Sequence, residues 1–167
     1  MKIQSYYIRL LMIPVYFLFF ECDLSERNSD NMLLKPWTGP YGGVPDFDKV
    51  KVDDIENGML YAMELHLEEI KTIANDTTAP SFENTIVAIE RSGTELERAY
   101  AYYGVLSRNQ SSPEFRVVQN KLAPHFADYR SKIIQNEKLF KSITTIYENA
   151  KNDPLEADQQ RLLEWTY

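Results

Sequence analysis

Apolar positions recur with helical spacing over most of this chain. Ile55, Met59, Met63, Leu67, Ile70 and Ile73 fall three or four residues apart, with Glu56, Glu64, Glu68, Glu69 and Lys71 between them. That spacing predicts an amphipathic helix with one face against a core, and Asp53 is placed to cap it. Asn75 to Pro80 combines turn formers with a proline and ends the segment. Ser81 is the next candidate cap, and Phe82, Ile86, Ile89, Gly93, Leu96, Tyr100, Tyr103 and Leu106 keep one phase. The phase survives Gly93, which predicts one long helix with the glycine where another helix comes close. Ser112-Pro113-Glu114 opens a further helix carrying Phe115, Val118, Leu122, Phe126, Tyr129 and Ile133, with a kink expected between Asn120 and Pro124. Asn136 caps a shorter one with Leu139, Phe140, Ile143, Ile146 and Tyr147, and Asp153-Pro154 opens the last, which holds Leu162 and Leu163. No stretch of the body sustains period-two alternation. The expected fold is all-α, helical over 53–167.

The preceding residues have a different character. Between Pro36 and Asp48 prolines and glycines crowd together around Trp37, Tyr41 and Phe47. Proline lacks an amide donor and glycine loses much backbone entropy, so 33–52 reads as a loop whose aromatics press against the helices. At the start, Lys2 and Arg9 lead into an apolar run from Leu10 to Phe20 that Glu21 closes. As a helix such a run rises about 16 Å, roughly half the hydrocarbon thickness of a bilayer. Residues 1–22 read as an export signal, the alternative being a buried core helix. Cys22, directly after the run, is the candidate lipidation residue and a candidate membrane tether, although Phe19, Phe20 and Glu21 stand where lipoprotein signals carry small residues. Residues 23–32 are polar and aperiodic, a tether between signal and body. The expected location is exported, periplasmic or envelope-associated.

Composition narrows the chemistry. With 167 residues, 44% of them hydrophobic, the chain suits one compact domain, and a single cysteine forms no internal disulfide and no thiolate-rich metal site. A net charge of −7 argues against a nucleic-acid partner, which needs a dense cationic face. Losing residues 1–22 would make the chain more acidic still. His66 and His125 lie on different predicted helices, and neither starts H-E-x-x-H, the one-turn spacing of a helix-borne catalytic zinc site. Both read as surface or boundary residues. Glu64, Glu68 and Glu69 read as a solvated face, since acid–base catalysis needs two carboxyls in contrasting environments. No nucleophile-elbow, phosphate-loop or dinucleotide-binding spacing occurs. This chain is expected to carry no catalytic residue and no metal ligand of its own.

Two blocks resemble a known family. Pro36-Trp37-Thr38-Gly39-Pro40-Tyr41-Gly42-Gly43-Val44-Pro45 with Phe47, followed by Phe82-Glu83-Asn84-Thr85-Ile86 with Ala88, Glu90, Ser92 and Gly93, resemble the amino-terminal region of the peptidyl-dipeptidase Dcp and thimet-oligopeptidase family of zinc metallopeptidases, with the Dcp branch nearer. Leu122-Ala123-Pro124, Leu139-Phe140, Ile146-Tyr147 and Gln160-Arg161-Leu162-Leu163 follow in the expected order. The resemblance covers the body from Leu33 to Tyr167. It implies a mostly helical hydrolase that cleaves short peptides in an enclosed channel, with zinc held by an H-E-x-x-H helix in a later region. It gives this chain a share of the channel wall and none of the chemistry: zinc as cofactor of the full-length enzyme, short peptides and the carboxy-terminal catalytic region as partners. The apolar run Leu162 to Tyr167 without a polar tail reads as an interrupted helix. Two functions follow: an amino-terminal piece of an exported metallopeptidase, or a stand-alone α-helical binding module of the envelope without catalysis.

Overall fold

A computed structural model describes residues 30–109 and 112–167. The segment 1–22 expected to be an export signal, with Cys22, and most of the expected tether 23–32 lie outside them. Every regular element described is helical, and one isolated bridge, Thr38 to Val44, pairs backbone in the manner of a sheet. Two short 3-10 turns, Pro40–Gly42 and Phe47–Lys49, precede helix α1, Val52–Ala74. A π-helical turn, Phe82–Val87, runs directly into α2, Ala88–Arg91; then come α3, Thr94–Asn109, α4, Pro113–Ile134, α5, Glu137–Ala150, and α6, Ala157–Thr166. Among the described residues no helix is long and apolar enough to cross a membrane.

Most expected caps are present. Ser81 Oγ accepts from the Asn84 amide at 3.2 Å while Asn84 Oδ1 accepts from the Ser81 amide at 2.7 Å. Ser112 Oγ accepts from Phe115 N at 3.2 Å, with Pro113 in the first turn, and Asn136 Oδ1 accepts from Leu139 N at 3.1 Å. Two starts differ from the expectation. Helix α1 begins at Val52, with Lys51 as its flanking residue; Asp53 sits inside the first turn, and Asp54 Oδ2 accepts from the Lys51 amide at 3.3 Å. A carboxylate there still faces the positive helix end. Helix α6 starts at Ala157, not at Asp153-Pro154, because the partly buried Leu155 packs into the neighbouring core before the helix begins.

The long helix expected over Phe82 to Leu106 is broken. Ser92 is extended (φ −79°, ψ 163°) and Gly93 has φ +75°, a left-handed conformation that favours glycine. Ser92 terminates α2 by directing both its amide and its hydroxyl to the Ile89 carbonyl, at 3.1 and 2.7 Å. The hydrophobic phase crosses the break because α2 and α3 both pack on α1. Helix α4, by contrast, is continuous through Pro124. The Asn120 carbonyl that loses a donor there belongs to an exposed residue, so water can replace the missing bond.

Helix α1 is the spine. Its first half places Ile55, Met59 and Met63 in a core with Leu96, Tyr102 and Phe115, and its second half places Ile70 and Ala74 in another with Ile86, Ile143 and Leu163. Ahead of it, Trp37 and Phe47 sit edge-on to Tyr102 at 6.4 and 5.2 Å, and the Tyr102 hydroxyl accepts from the Asp46 amide at 3.0 Å. Those two loop aromatics press on the helices as expected. Tyr41 does not: it is fully exposed, at φ +60°, on the tip that the Thr38–Val44 bridge closes.

Candidate functional site

The described residues bring one polar junction to the meeting point of the helices. His66, from the middle of α1, is half-buried and uses both ring nitrogens: Nδ1 meets the Tyr129 hydroxyl of α4, and Nε2 meets Ser92 Oγ at 2.8 Å. Proton counting fixes the polarity. Ser92 has one hydroxyl proton and gives it to the Ile89 carbonyl at 2.7 Å, so its oxygen accepts from His66 Nε2–H. Nδ1 is then the acceptor, and Tyr129 the donor. Burial favours the neutral ring that this arrangement requires: it lowers the His66 pKa, against the pull of Glu69, and pushes Tyr129 up to about 12, so the phenol keeps its proton.

Glu69 completes the junction by accepting from the Gly93 amide at 2.6 Å. A Cβ on Gly93 would lie 3.0 Å from His66 Nδ1, so glycine is required both by its conformation and by the approach of α1. That is the close approach expected at this position, realised at a break and not within a helix. The chemistry of the junction is closed. A nucleophilic serine needs an imidazole that accepts its proton, whereas here the serine accepts from the imidazole and donates to a backbone carbonyl.

The other sequence candidates are dispersed. His125 is exposed on α4, at a 220 Å³ cleft shared with Glu64, Asp128 and Lys132. Glu68 pairs with Lys71 at 3.0 Å. Cys22 lies outside the described residues. Among those residues no group of three or more His, Cys, Asp or Glu side chains is placed to hold a metal. His66, with its one lone pair taken by Tyr129, does not fit a zinc ligand, and no step through zinc is assigned to these residues. Ser92 and Tyr129 escaped the sequence reading, since a tyrosine on an apolar face reads as packing. The Ser92-Gly93 pair was the available signal of a break.

A groove lies beside the junction. It holds about 540 Å³ and is lined by Tyr100 of α3 and, along α4, by Phe126, Ala127, Tyr129, Arg130, Ser131, Ile134 and Gln135. Tyr100 stacks on Phe126 at 5.6 Å, and Tyr103 meets Phe126 edge-on at 5.4 Å.

No family model matches the chain. It is 25% identical over 134 residues to dipeptidyl carboxypeptidase of Escherichia coli (strain K12), a match covering 80% of this chain and 20% of that protein. Dipeptidyl carboxypeptidase of Salmonella typhimurium (strain LT2) is likewise 25% identical over 136 residues, 81% of this chain and 20% of that protein. The chain is thus distantly similar to these two dipeptidyl carboxypeptidases and spans about a fifth of their length.

Proposed function

We propose that this chain is a peptidase-related helical region that forms part of a peptide-channel wall in an exported, dipeptidyl carboxypeptidase-like zinc enzyme. The observation that carries the reading is the distant match over four-fifths of the chain to proteins of which it covers one-fifth. Hydrolysis and zinc then belong to another part of such an enzyme. The chain's own contribution is steric: a rigid wall admits short, unfolded peptides and excludes folded ones. Its two cores on one spine and the closed hydrogen bonding at His66 suit that task, because a wall must hold its shape while substrates pass. Export rests on Lys2, Arg9 and the apolar run from Leu10 to Phe20.

The test reads the locus and the chain together. The DNA following Tyr167, in any frame, is expected to encode H-E-x-x-H. The purified 167-residue chain is expected neither to cleave a short peptide nor to retain zinc after dialysis. A locus without a peptidase remnant, or stoichiometric zinc with peptide turnover by the chain alone, would overturn the reading. A second reading, the stand-alone envelope binding module, is favoured by an exposed aromatic face on α5 and α6. There Trp165 is 86% exposed and Tyr167 stacks between Tyr147 and Phe140.

A further inference from the structure

The groove between α3 and α4 pairs an aromatic platform with an uncompensated cation. Tyr100 and Phe126 form the platform. One turn further along α4 stands Arg130, exposed, and one turn beyond that Ile134, 71% exposed. No acidic side chain lines the groove, and Arg130 has no carboxylate partner among the described residues. The neighbouring acid of α4, Asp128, is already paired with Lys132 at 2.7 Å. Arg130 acts electrostatically on Tyr100, which places its charge beside the platform.

Spacing suggests what would lie there. Residues four apart on α4 are separated by about 6 Å along the axis, and alternate side chains on one face of an extended peptide by about 6.6 Å. Phe126, Arg130 and Ile134 therefore match, position by position, a peptide whose same-face side chains run apolar, acidic, apolar. The groove is open and offers one guanidinium, and the α4 residues that line it lie within the helix or, at Gln135, bond their amide to the Ser131 carbonyl, so no cluster of free backbone amides faces it. A terminal carboxylate is ordinarily captured by such backbone nests, so an internal acidic side chain suits it better.

We infer that the Tyr100–Phe126–Arg130–Ile134 groove binds an extended peptide in which an acidic side chain, flanked by apolar ones, pairs with Arg130. The inference rests on the channel-wall reading in taking a peptide as the ligand, and it adds a preference for acid-bearing sequences. The guanidinium supplies the specificity, through a charge-assisted, two-pronged bond that glutamine cannot match.

The experiment titrates acetyl-Phe-Ser-Glu-Ser-Leu-amide into the full chain, read by NMR shifts of the Arg130 side chain and the Phe126 ring. Replacing the peptide glutamate by glutamine is expected to weaken binding about threefold to fivefold at low salt, and R130Q to do the same to the glutamate peptide. Ile134→Ser, at a surface site, is expected to weaken it severalfold with an unchanged circular dichroism spectrum. Several outcomes would overturn the groove: equal affinity for the two peptides, equal affinity of wild type and R130Q, or no binding at millimolar peptide. Stronger binding of a glutamine peptide with a free carboxy terminus would do so too, by assigning Arg130 to chain ends. So would a dimer that R130Q dissociates, by assigning the face to a second copy. A locus encoding H-E-x-x-H without peptide binding sinks the groove alone; binding without that locus sinks the channel-wall reading.

Discussion

His66 ties α1 to α4 and to the α2–α3 break through two ring nitrogens of opposite polarity. Because burial lowers its pKa, the folded chain holds it neutral where an unfolded chain would protonate it near 6.5. Its contribution to stability is therefore complete above pH 6.5 and is lost as pH falls through 6.5 toward the lowered folded value. Urea midpoints measured between pH 7.5 and pH 5 are expected to drop with acid, and His66→Gln to flatten that part of the slope. Gly93 lies against the same ring. Gly93→Ala forces a side chain into a left-handed conformation, a cost of about 1–2 kcal/mol, and pushes a methyl group against the imidazole. A lower urea midpoint with unchanged helical content would confirm it. The close approach at Gly93 was legible in the sequence, whereas the role of His66 was not, since its partners Ser92 and Tyr129 lie 26 and 63 residues away.

At the scale of elements, helix starts follow local chemistry closely where a short polar side chain precedes the apolar run. Ser81, Ser112 and Asn136 all cap as their positions foretold. Asn84 does more than its neighbour Ser81, for it also donates to Thr78 Oγ1 at 2.9 Å and to the Ala79 carbonyl at 3.0 Å, stitching the preceding turn to the helix. Ser81→Ala is expected to cost about 1 kcal/mol, as caps do, and Asn84→Ala more, in thermal or urea unfolding. The boundary that periodicity missed is Ser92-Gly93. Apolar spacing reports which side of a segment faces a core, and it is blind to a bend that keeps the same side facing the same partner.

For the whole molecule, the decisive feature is that α1 belongs to both cores. Damage to either one should propagate through the shared helix. Leu122→Ala in the first core and Leu163→Ala in the second, both fully buried, are each expected to cost about 2–5 kcal/mol. In both variants, unfolding followed by far-ultraviolet circular dichroism and by tyrosine fluorescence should remain coincident. Separate transitions would show that the two cores melt independently. The sequence by itself determined the helical class, most helix starts and the apolar faces, because these depend on contacts within a few residues and on a periodicity that any core imposes. It also carried the resemblance that the distant dipeptidyl carboxypeptidase matches support. Only the tertiary structure decided that Tyr41 stands in solvent while Trp37 and Phe47 are sheltered, that α2 and α3 are separate, and that His66, Ser92 and Tyr129 meet. It also decided that Arg130 faces a groove without an acid. Each of these depends on which distant segment arrives beside a residue, and helical spacing carries no record of that.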